Sequence, residues 1–74
     1  MLKTGPYSVA DYSTRRKRRE AVMSILTCLT DIRNAEQRSL DNVPDNLQNS
    51  DSFVSAEFAI DTLDEIIDLL SEVY

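Results

Sequence analysis

The stretch "DNVPDNLQNSDSF", residues 41–53, separates two long segments of helical periodicity. Its reading decides whether the chain is one rod or a hairpin. Pro44 keeps Val43 extended and stops a helix that runs into it. Asn42 can end that helix, because Asn tolerates the left-handed conformation used at helix C-termini. "PDNL" suits one tight turn, with Leu47 tucked back under the hairpin. Asn46, Asn49 and Ser50 can bond backbone groups left free at both helix ends. A contact loop for a partner is the alternative use of these residues. The turn reading predicts two helices folded antiparallel.

Upstream of the turn, the first helix has two candidate starts. At Ser8, Asp11 stands at the third helical position and Tyr7 and Tyr12 are placed as a hydrophobic staple. Ser13 or Thr14 gives a second start, and the helix then spans 13–41, leaving 1–12 as an N-terminal segment. Its apolar positions Val22, Ile25, Leu26, Leu29, Ile32 and Leu40 follow three- and four-residue steps, interrupted at Glu36 with Ala35 beside it. Downstream, the turn occupies 42–50 and the second helix 51–74, capped among Ser50 to Ser52 with Asp51 suiting the helix dipole. Its seam is Ala56, Ile60, Leu63, Ile67, Leu70 and Tyr74. A second row, Ala59, Leu63, Ile66, Leu70 and Val73, makes the apolar face wider than one partner helix covers.

The expected fold is therefore all-α, a two-helix antiparallel hairpin that dimerises into a four-helix bundle. Leu26, Leu29, Leu63, Ile66, Ile67 and Leu70 are the expected oligomer interface. A chain of 74 residues buries a modest fraction of its surface. With one Cys and no His it has neither an internal disulfide nor a zinc-ligand set to compensate, so a homo-oligomer is expected. The N-terminus "MLKTGPYSVADYS" lacks the apolar core of a signal peptide, and no apolar run approaches membrane-spanning length. A cytoplasmic protein is expected.

Charge divides the chain. Residues 1–20 hold six cations and two carboxylates, whereas residues 51–74 hold seven carboxylates and no cation. If Asp41 faces Asp51, antiparallel pairing brings Tyr74 near Arg18. The basic cluster Arg15, Arg16, Lys17, Arg18 and Arg19 then meets the acidic end of the second helix, near Glu72. Pairing charges there is the plain role of "RRKRR". A phosphate or nucleic-acid contact is the sharper one, against which stand the absence of interleaved aromatic residues and the acidic remainder of the chain. On the second helix, Asp61, Asp64, Glu65, Asp68 and Glu72 form one stripe. It is either an ordinary solvated face or a partner-binding surface for a basic groove.

The remaining motifs point away from catalysis. "DEIID" at 64–68 looks like the carboxylate clusters of all-helical nucleotide pyrophosphohydrolases. Those clusters need a second one on another helix, and the first helix offers only Asp31 and Glu36, so no metal or other cofactor is expected. Cys28, beside the seam, reads as a small buried hydrophobe. Without His, a Gly-rich loop or a nucleophile–base pair, an enzyme is not expected.

"NVPDNLQNS" at 42–50, followed by "AEFAIDTLDEIIDLL" at 56–70, resembles short uncharacterised proteins of bacteriophages and prophages, many from Gram-positive hosts. The resemblance runs from about residue 20 to the end, and "RRKRR" departs from it. It implies origin and transfers no active residues. Small acidic helical phage proteins are often inhibitors of host machinery, as anti-CRISPR proteins are. The resemblance thus implies a host protein partner, such as a CRISPR effector or another nucleic-acid-handling complex, met in the cytoplasm of the infected cell. The other expectations are a nucleic-acid or nucleotide binder using Arg15–Arg19 and a self-assembling structural module.

Overall fold

A computed structural model describes residues 11–74. Among them the chain is all-helical. Helix α1 spans Arg15–Asp41, a single 3-10 turn covers Asp45–Leu47, and helix α2 spans Asp51–Ser71. The two long helices pack against each other as an antiparallel hairpin.

Local chemistry sets each boundary. Thr14 is extended, and its hydroxyl accepts from the Lys17 N–H at 3.1 Å, closing the first turn of α1. Asp11 to Ser13 are non-helical, so the helix starts at the second candidate site and not near Ser8. Ser8 and Tyr7 lie outside the described residues. At the other end Asn42 has φ −91° and ψ 0°, so it does not take the left-handed conformation expected of it. The helix instead tightens, with Val43 N–H bonding the Leu40 carbonyl at 3.1 Å, before Pro44 ends it. Ser50 caps α2, its Oγ accepting from Phe53 N–H at 3.2 Å. Among the described residues no side-chain hydrogen bond of Asn46 or Asn49 is seen. Leu47 is half exposed at 50%, not tucked away, because a three-residue 3-10 turn is too short to fold it under the helices.

The seam between the helices follows alternating three- and four-residue steps on both sides. From α1 it takes Val22, Leu26, Leu29, Arg33, Glu36 and Leu40, all half-buried. From α2 it takes Phe53, Ala56, Ile60, Leu63, Ile67 and Leu70, of which Ile60 is fully buried. Ile25 and Ile32, read from the sequence as part of the first seam, are more than half exposed. Arg33 takes their place, because its Nε donates to Asp64 Oδ1 at 2.9 Å across the hairpin. Five of the expected interface residues, Leu26, Leu29, Leu63, Ile67 and Leu70, thus lie in the seam of a single chain, and Ile66 lies outside it.

The hairpin is one layer of helices. Its principal extents are 56 × 29 × 16 Å. The Cα radius of gyration is 17.3 Å, against about 11 Å for a compact chain of this length. Both broad sides therefore face solvent.

Candidate functional surfaces

Three surfaces carry the chemistry, and the heptad register assigns their positions. On α2 the carboxylates occupy the flank and outer side, away from the seam. Asp64 sits closest to α1 and is held by Arg33, whose Nη2 also reaches Asp64 Oδ2 at 3.4 Å. The pair is half open to solvent, so it fixes register more than it adds stability. Asp61, Glu65, Asp68 and Glu72 are exposed.

The row has an apolar head that the sequence reading passed over. Val54 and Phe58 precede Asp61 by seven and three residues, so Val54, Phe58, Asp61, Glu65, Asp68 and Glu72 share one line along α2. Phe58 is 74% exposed, the most open of the large apolar side chains among the described residues. The detectable signal was that spacing. It was masked because Phe58 lies off both apolar rows of α2 and its acidic neighbours read as solvated surface.

The basic cluster behaves differently from expectation. It does stand beside the C-terminal end of α2, where the Arg15 guanidinium lies 5.2 Å from the centre of the Tyr74 ring. Its ionic partners, however, belong to its own segment. Arg16 pairs with Glu20 at 3.6 Å, one turn on. Lys17 bonds the Asp11 carboxylate, and Arg18 donates to the Tyr12 carbonyl at 2.7 Å. No ion pair joins the cluster to Glu72 among the described residues. The Lys17 side chain, followed by the Ser13 side chain and then the Ser13 N–H, holds the Asp11 carboxyl well below the usual carboxylate range. The cluster thus anchors the chain leading into α1. Among the described residues Arg15 has the Tyr74 ring as its partner, and Arg19 has no described side-chain partner.

The third surface is the side of the hairpin that bears Ile25, Ile32, Ile66 and Val73, all exposed. Cys28 belongs to it and is exposed, not buried, because the single α2 partner leaves that side of α1 uncovered. A groove at its loop end is lined by Glu36, Asp51, Ser52, Ser55, Ala56 and Ala59, which places the half-buried Glu36 on the same side.

No group of three or more His, Cys, Asp and Glu side chains that could hold a metal is found among the described residues. No described helix is long and apolar enough to cross a membrane. The chain matches no protein-family model, no curated protein and no solved structure.

Proposed function

We propose that the chain is a non-catalytic binding protein that docks the outer row of α2 on a basic surface of another protein, working as a pair of hairpins in a bacterial cytoplasm. The observation that carries this reading is the row itself, an exposed Phe58 followed in register by the exposed carboxylates of Asp61, Glu65, Asp68 and Glu72. An aromatic side chain held open to water is a natural anchor for a pocket. Carboxylates spread along a rigid helix steer and orient it toward cations and repel nucleic acid. A basic groove that serves nucleic acid has the matching chemistry, and occupying it inhibits its owner. The phage resemblance of the turn adds host defence complexes as the class of target.

A pull-down from nuclease-treated bacterial lysate tests this. Protein captured by the wild-type chain should be displaced by added oligonucleotide. It should be lost with Phe58→Ala and with the Glu65→Lys, Asp68→Lys double variant. Capture that is indifferent to these changes, or no capture from the host that carries the gene, sinks the reading. Direct nucleic-acid binding through Arg15–Arg19 takes second place, since four of those five side chains already hold neighbours within the chain. A steep fall of oligonucleotide binding with salt, abolished by Arg16→Ala with Arg19→Ala, would promote it.

A further inference from the structure

We propose that a second copy of the chain, turned end for end, covers the side of the hairpin that bears Ile25, Ile32 and Ile66, with α1 running antiparallel against its counterpart and the two-fold axis passing beside Cys28. This deepens the pairing named in the proposed function and specifies its surface.

Register assembles the surface from both helices. The antiparallel packing fixed by the Arg33–Asp64 contact sets Ile25 and Ile32 of α1 and Ile66 and Val73 of α2 on one side of the seam. Between these anchors the same side of α1 carries Ala21, Cys28 and Ala35, so nothing bulky or charged keeps another helix away. The nearby Thr62 hydroxyl is already satisfied, donating to the Phe58 carbonyl at 2.9 Å. The opposite side holds Asp61, Asp64 and Asp68 and would set carboxylate against carboxylate in any self-pairing.

Charge at the two ends identifies the occupant. Arg18 lies two turns before Ile25 on this side, and Glu36 edges it near the loop. The midpoint between them is residue 27, next to Cys28. A two-fold axis there brings each Arg18 to Glu36 of the second copy, twice per dimer. The guanidinium keeps donors to spare beyond its bond to the Tyr12 carbonyl. Hairpins stacked with their loops together would bring no such pair into contact. The free surface agrees in size. A single chain exposes 5894 Å², about 1,300 Å² more than a compact monomer of 8.4 kDa. A stable interface removes about 800 Å² from each partner.

Sedimentation equilibrium on the full chain, with mild oxidation in parallel, tests the arrangement. The wild-type chain should be a dimer, linked rapidly through Cys28 when oxidised and only slowly in denaturant. Arg18→Glu and Glu36→Arg should each raise the dimer dissociation constant roughly tenfold, and the double variant should restore it. A monomer at every concentration, a double variant no better than the single ones, or a Cys28 link no faster than in denaturant would overturn the proposal. The link in the unaltered chain keeps the test decisive should a charge swap unfold the helices. A monomer that still captures a basic protein would remove this pairing alone. A dimer of this form that captures nothing would remove the proposed function alone.

Discussion

At the scale of single residues, Ile60 and Arg33 define how little holds one hairpin together. Ile60 is 5% exposed, the one buried apolar side chain among the described residues. Ile→Ala at a buried site costs about 2–5 kcal/mol, comparable with the whole stability of a domain this small. Ile60→Ala should therefore unfold the chain, whereas Phe58→Ala should change stability by under about 0.5 kcal/mol. Urea titration followed by far-UV circular dichroism compares the two. Equal midpoints would refute the core. Arg33 is the opposite case, a charged side chain on a seam position. Replacing it with Leu extends the apolar seam one position beyond Leu29 and removes the cost of drawing a charge out of water. Arg33→Leu should leave the urea midpoint unchanged or raised, and a fall of more than about 1 kcal/mol would show that the pair to Asp64 supports the fold. The cation was readable in the sequence, but its place on the seam was not. Only the presence of Asp64 across the hairpin made that position tolerable.

At the scale of elements, the turn and its caps were the most legible part of the chain. Pro44 ends α1 and Ser50 starts α2 for reasons that operate within a few residues, so neighbours in sequence suffice to read them. Ser50→Ala should cost about 1 kcal/mol, a typical loss for a helix cap, while Ser50→Asp should recover it. Thermal unfolding of the two variants measures this, and an unchanged midpoint for Ser50→Ala would mean that Ser52 takes over as cap. The seam of α2 was legible too, because its steps hold without interruption from Ala56 to Leu70. The seam of α1 was not. Two apolar rows, one through Leu26 and Leu29 and one through Ile25 and Ile32, have equal periodicity, and helical spacing alone does not choose between them. The choice fell to the row that meets α2 face on. Phe58 escaped for a related reason, since a single aromatic among carboxylates breaks no pattern until its row is traced through Glu65.

At the scale of the whole molecule, a single layer 16 Å thick leaves each helix with one covered side and the rest in water. Such a chain gains stability by association, and mass action makes that visible. The thermal midpoint should rise by several degrees over a hundredfold increase in protein concentration. A midpoint independent of concentration would mean that one hairpin is stable alone. The outer row of α2 lies away from the side that bears Ile25, Ile32 and Ile66, so a pair of hairpins would present two acidic rows outward. Affinity for a target with two basic sites would then exceed that of one row.

The amino-acid sequence by itself determined that the chain is helical, where it turns, and that one end is basic and the other acidic. Those properties follow from periodicity, capping and composition, which act over short distances. The tertiary structure alone decided which of the two apolar rows of α1 faces α2, that Arg33 crosses to Asp64, and that the basic cluster holds its own N-terminal segment and Tyr74. Each of these depends on the rotation of one helix about its axis relative to the other. A period of 3.6 residues leaves that angle free until the two surfaces meet.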